Sequence, residues 1–261
     1  MPATNQIQNA ILNGYEFRTG HYISKSFEFF KERAGEFIGF TVVYLIISLI
    51  TGVIPVVGTL ISIVISGPLS LGAMIYTHKM QNNQEMDFSG FFDGFKKFTP
   101  LFVTYVFQIL IYIILAIPLF ILVGFEVLQA VLSGDTESVL EFGKTIVASS
   151  GIFAVMVLVF IYAGISMRWS LHLAYFFNYS PLEAIKESFI IVNKRWFSHL
   201  GFVLLCGLIA ILGVIALFIG LLVAVPIISI SDYIGFAEIT GLNEEESVEE
   251  YQESGNFDDI S

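Results

Sequence analysis

From Phe37 to Thr77 the chain runs 41 residues without one Asp, Glu, Lys, Arg or His. As a single helix that stretch would reach roughly 60 Å, about twice a 30 Å hydrocarbon core. Its middle, Gly52-Val53-Ile54-Pro55-Val56-Val57-Gly58, is a natural breaker. The run therefore reads as two transmembrane helices joined by a tight turn.

Three further apolar regions follow. Phe98–Phe125 is uncharged for 28 residues, enough for one tilted span. Thr145–Met167 leads into a segment carrying Arg168 and His172 and stays apolar to Phe177. Leu200–Ser231 is uncharged for 32 residues, long for one helix and short for two. With His199 at one interface and Asp232 inside the membrane, Phe197–Ala237 becomes a second hairpin that turns near Gly213 and Gly220. The expected architecture is an all-α polytopic bundle of six transmembrane helices. They run over approximately 37–54, 57–78, 99–123, 151–177, 197–217 and 219–238. A five-helix arrangement, with 197–238 as one span, would send the C-terminus to the other side.

Charge tests the count. Arg18, Lys25, Lys31 and Arg33 precede the first span. Lys79, Lys96 and Lys97 fall between the second and third, and Lys186, Lys194 and Arg195 between the fourth and fifth. Six helices put these ten on one side and leave Lys144 alone on the other, a strong positive-inside bias. The expected location is the cytoplasmic (inner) membrane, with both termini cytoplasmic. Residues 1–36 are polar and mixed in charge, so no cleavable signal peptide is expected. The chain divides into a polar segment, 1–20, a membrane domain, 21–240, and an acidic tail, 241–261. Residues 238–261 hold nine acids and no Lys or Arg, against a net charge of −11 for the whole chain. The tail reads as solvated, or as a docking peptide for a basic protein partner. A basic surface for nucleic acid is absent.

The cytoplasmic segments carry helical patterns of their own. Residues 22–34 place Ile23, Phe27, Phe30 and Ala34 on one stripe, and residues 182–196 place Leu182, Ile185, Phe189, Val192 and Trp196 likewise. Both read as amphipathic helices lying in the interface and touching membrane lipids. The second starts at Ser180-Pro181 with Glu183 completing a capping box. A third candidate, Asp87–Phe98, has Phe88, Phe91, Phe92 and Phe95 on one face but is weakened by Gly90 and Gly94. The expected interfacial anchors are Phe27, Phe30, Phe91, Phe95, Phe189 and Trp196. The first and last of these segments align at a constant offset of 162. Ile23 matches Ile185, Ser26 Ser188, Phe27 Phe189, Arg33 Arg195, Gly39-Phe40 Gly201-Phe202 and Gly58 Gly220. The ungapped match points to a parallel internal repeat of one unit, an amphipathic helix followed by a hairpin.

The same stretches carry a family resemblance. Phe91-Phe92-Asp93-Gly94-Phe95-Lys96-Lys97-Phe98 resembles the F-x-G-F-(K/R) element of a broad bacterial and archaeal group of six-helix membrane proteins of unknown function. Ser180-Pro181-Leu182-Glu183-Ala184-Ile185-Lys186-Glu187-Ser188-Phe189 is similar to that group's P-x-E-A-(I/L)-x-x-S element, and Arg168-Trp169 to its R-(W/Y) on helix four. The group includes the membrane domain fused to some glycerophosphoryl diester phosphodiesterases. The resemblance covers roughly residues 20–240 and implies a fold, not an activity. No attached phosphodiesterase domain accompanies it, so that reaction is not expected here.

Chemistry is sparse. The four histidines, His21, His78, His172 and His199, lie in four different segments. There is no H-E-x-x-H, C-x-x-C or Gly-rich phosphate loop, and the single Cys206 lies in an apolar stretch. No catalytic, metal or cofactor site is expected. The remaining site signal is ionisable residues inside the membrane: Arg168, His172 one turn below it, and Asp232 at similar depth. They read as a polar site for an anion, a lipid headgroup or a proton, or as a structural ion pair with Arg168 snorkelling to the interface. Pro68 and Pro226 fall in the second helix of each hairpin, and Gly67-Pro68 is expected to kink its span. The sequence points to a non-enzymatic membrane scaffold or accessory subunit. A transporter or channel for a small molecule, anion or lipid is the main alternative, and an intramembrane enzyme the next.

Overall fold

The computed structural model describes residues 5–133, 150–216 and 219–242. Among these residues the fold is helical throughout. Six helices are long and apolar enough to cross a membrane: Ala34–Val53, Val57–Gln81, Phe88–Ile121, Gly151–Phe176, Trp196–Ile215 and Leu221–Thr240. The protein is a multi-pass membrane protein. The 197–238 region is two spans, which meet where Gly213 and Gly220 bring the backbones together.

The spans follow one another round a ring. Each packs against the next in sequence, and the sixth returns to the first. Three short helices, Thr19–Glu32, Phe88–Lys97 and Pro181–Asn193, each precede a hairpin. Every one of them packs on the second span of the hairpin before it in the ring. Thr19–Glu32 lies on the sixth span, Phe88–Lys97 on the second and Pro181–Asn193 on the fourth. The unit of helix plus hairpin thus occurs three times. Its first and third copies keep the sequence register. Arg33 and Arg195 adopt nearly the same backbone, φ −132° and ψ 37° against φ −138° and ψ 41°. Gly58 closes on Thr51 as Gly220 closes on Gly213, again 162 residues apart.

The middle copy departs from the expected amphipathic α-helix. Phe88–Lys97 is a 3-10 helix whose first turn is capped by the Asp87 carboxylate, which accepts from the Gly90 amide at 3.1 Å. Of its two glycines, both a weakness for helix propensity, Gly94 permits close contact with the second span, as does Gly67 of that span with the third. A side chain on Gly94 would overlap the Pro68 carbonyl, and one on Gly67 would meet the Leu101 carbonyl. The second span breaks at Leu71, just beyond Pro68, where the missing proline N–H removes a helical bond.

The apolar stripes of the short helices also differ from expectation. Thr19–Glu32 buries Tyr22, Ser26 and Phe30, one position round from the predicted row, and leaves Phe27 exposed. Phe30 and Phe91 are corrected from lipid anchors to core residues. Phe91 is fully buried, stacked on Tyr76 with centroids 3.9 Å apart and on Phe40 at 4.6 Å. Phe95 is exposed, while Phe189 and Trp196 are half-buried against Tyr162. The cause is that one face of each short helix packs on protein, while the adjoining face carries exposed apolar residues. Small polar residues serve the protein face: Ser26 meets Ser231 at 2.9 Å, and Ser188 donates to the Ser166 carbonyl at 2.8 Å.

A mutation pair separates the two faces. Phe30→Glu should prevent stable folding, since it buries a charge in the core. Phe27→Glu should leave the fold intact and weaken only membrane contact, by up to about 1.5–3 kcal/mol of apolar burial. Gel filtration and a spin-label depth profile over 22–34 check both outcomes. At the start of the third short helix, Glu183 turns back to accept from the Ser180 N–H at 3.3 Å and hydroxyl at 2.6 Å. Those hydrogen bonds hold its carboxyl below the usual range.

Candidate functional site

The packed core lies at the end of the bundle that carries the short helices, and a polar cluster is set into it. The fourth span supplies its central charge from a break. Ser150–Ser166 and Ser170–Phe176 are separate helices, and Arg168 sits between them. A broken helix frees backbone groups that lipid cannot satisfy. Here protein side chains satisfy them. Ser188 donates to the Ser166 carbonyl and accepts from the Trp169 amide at 3.2 Å, while Gln108 and Ser170 donate to the Met167 carbonyl at 3.1 and 2.7 Å.

Arg168 Nη2 donates to Asp232 Oδ1 at 2.5 Å, and the Trp169 indole donates to the same oxygen at 3.0 Å. Arg168 Nη1 is 3.1 Å from His199 Nδ1. A guanidinium has only donors, so Nδ1 accepts and the imidazole is neutral with its proton on Nε2. That proton faces Tyr15 Oη at 2.6 Å, and the Tyr15 hydroxyl donates to the Ile191 carbonyl at 3.0 Å. The sign of every bond in the chain follows from the one group that cannot accept. The network joins the sixth span, the fourth, the fifth, the third short helix and the N-terminal arm. Burial pushes the Tyr15 hydroxyl well above its ordinary value and Tyr22 up to about 12, so both remain donors across the physiological range.

The arm roofs the cluster. Its Asn5–Asn13 helix packs on the sixth span and on Pro181–Asn193, with Ile7 fully buried. The sequence sets residues 1–20 apart from the membrane domain, but this helix belongs to the packed body. Phe17 then lies on His199, centroids 4.3 Å apart, and against Trp169 and Phe202. Arg195 Nε holds the Tyr15 carbonyl at 2.9 Å, and Arg18 pairs with Glu238 at 2.7 Å. The Phe202 ring covers the Arg168 guanidinium at 4.6 Å. The side chains of Arg168 and Asp232 are left 11% and 15% exposed. A shallow cleft of about 320 Å³ lies along the arm, lined by Gln6, Asn9, Tyr15, Glu16, Arg18 and Glu238.

All three residues singled out for depth converge here. Arg168 and Asp232 are in contact, and His172 Nε2 stands 3.7 Å from Asp232 Oδ2. The His172 ring is buried, with no side-chain hydrogen-bond partner among the described residues. Sequence reasoning does not bring His199, Trp169 or Tyr15 into the site. His199 has one cue, an ionisable group at the start of an apolar span, and Trp169 another, its place in the Arg168-Trp169 motif.

Tyr15→Phe should leave the buried His199 Nε2–H without its acceptor and the Ile191 carbonyl with the Lys194 N–H alone, at a cost of about 1–3 kcal/mol. Amide exchange in residues 5–18 should then rise while the spans stay protected. Among the described residues no group of three or more His, Cys, Asp or Glu side chains is placed to hold a metal ion. No protein-family model, curated protein or solved structure matches the chain.

Proposed function

We propose that the protein is a membrane-embedded scaffold or accessory subunit rather than an enzyme. The observation carrying this reading is the closure of the Arg168 site. Its guanidinium is spent on Asp232, His199 and the Phe202 face, and the backbone freed at the helix break is paired by Ser188, Ser170 and Gln108. A substrate would have to displace the arm and several protein hydrogen bonds to reach it. Membrane lipids contact the exposed apolar sides of the short helices. The acidic tail, which from residue 243 on lies outside the described residues, is offered to a basic protein partner.

The second reading, a transporter for an anion, lipid headgroup or proton, is favoured by one feature: the broken fourth span places Arg168 beside the buried His172. Reconstituted vesicles carrying pH-sensitive and anion-sensitive dyes distinguish the two. The scaffold reading expects no flux above protein-free vesicles. Flux that disappears in Arg168→Gln would replace it with the transporter.

We also propose residence in the cytoplasmic membrane with both termini cytoplasmic, on the ten-to-one bias of Lys and Arg. A reporter fused after Ser261 should read cytoplasmic and one inserted at Asp135 exterior. An exterior C-terminus would reject this orientation.

A further inference from the structure

The three hairpins are not of equal height. Helices Ala34–Val53 and Trp196–Ile215 end after 20 residues, whereas Phe98–Ser133, starting at the matching place behind its short helix, runs for 36. The excess of about 16 residues is roughly 24 Å of helix. Pro118 stands where the sibling helices stop. A proline there removes one backbone hydrogen bond and permits a change of direction.

The segment beyond Pro118 has a two-faced pattern. In the span the exposed row runs Leu110, Ile113, Ile114 and Ile117. At helical spacing it continues, without a polar interruption, through exposed Ile121, Gly124, Leu128 and Leu132. The polar positions Glu126, Gln129 and Ser133 fall on a different row of the helix, spaced i, i+3 and i+7. A row facing lipid in the span thus extends into a segment too long for the bilayer core that its siblings cross. Standing in water, that row would leave Ile121, Leu128 and Leu132 solvated, with no polar residue between them along it. Lying along the boundary of headgroups and acyl chains, it keeps them in contact with lipid and turns the polar row to water.

We infer that Leu119–Ser133 is a fourth interfacial helix, seated in the lipid surface at the face of the membrane opposite the three short helices. Its ligand is the headgroup–acyl boundary itself. Glu126 is the only ionisable residue between Phe98 and Ser133 whose charge could meet a headgroup, and it is acidic, so anionic lipid is not needed. This inference rests on the membrane reading of the six spans and is independent of which face is cytoplasmic.

The experiment uses the full chain in nanodiscs of zwitterionic lipid, with Cys206→Ala and one spin label at a time at positions 121, 126, 128, 129, 132 and 133. Each variant is first shown monodisperse by gel filtration. Oxygen should relax labels at 121, 128 and 132 preferentially, and an aqueous nickel complex those at 126, 129 and 133. The pattern should not change when anionic lipid is added. Preferential relaxation of all six by the nickel complex would show that the segment stands in water. Dipolar broadening between copies would show that it binds a second chain. Either result overturns the inference.

Discussion

Asp232→Asn and Arg168→Gln are each expected to destabilise the protein by about 3–5 kcal/mol, the cost of leaving one buried charge without its partner. The double substitution should recover most of that loss. The asparagine side chain keeps an oxygen for the Trp169 indole, which now donates to Asp232 Oδ1, so the single change reports the charge rather than a lost acceptor. Arg168→Gln should also disturb the arm, because Nη1 fixes the tautomer of His199 and through it the bond to Tyr15. Thermal unfolding of all four proteins in one detergent gives the coupling energy. Strictly additive losses would mean that the two side chains do not depend on each other, despite their 2.5 Å separation.

The second large effect belongs to a glycine. Gly94→Val should destabilise the protein by about 1–3 kcal/mol or more, because the new side chain meets the backbone of Pro68 rather than a movable side chain. Even Gly94→Ala should be costly. Gly35→Ala is the control: nothing lies within 4 Å of its added methyl, and helix propensity favours alanine by about 0.5–1 kcal/mol. The two alanine variants should therefore shift the unfolding temperature in opposite directions. Equal, small shifts would contradict the close contact between the 3-10 segment and the second span.

The spans were legible because the hydrocarbon core imposes a length that uncharged runs either meet or do not. The 41-residue run became Ala34–Val53 and Val57–Gln81, with the break at the Pro55 turn. Asp232 and Arg168 could be matched by counting residues from the span ends, since a helix converts sequence distance into depth. The fourth-span break at Met167–Trp169 was not legible, because it contains neither Gly nor Pro and depends on Ser188 and Gln108 from distant segments. Tyr15 lay in a polar stretch with no periodicity to mark it. The middle copy of the repeat was obscured by Gly90 and Gly94, which lower helix propensity, while Gly94 allows close packing on Pro68. The stripes on the short helices were found one position out of register. Sequence alone records which residues are apolar, and these helices carry apolar residues both on the packed face and on the exposed face beside it.

Closure of the Arg168 cluster is the central claim, and the chain carries its own probe. Cys206 is the sole cysteine, buried, and one helical turn beyond Phe202, whose ring covers the guanidinium. A small membrane-impermeant cationic thiosulfonate should leave Cys206 unmodified when applied to either side of sealed vesicles. Asn193 is exposed, so in a parallel Asn193→Cys preparation the introduced thiol should react at once. Modification of Cys206 at a rate comparable to that of the introduced thiol would reveal a water-filled path to the ion pair and contradict the closed site.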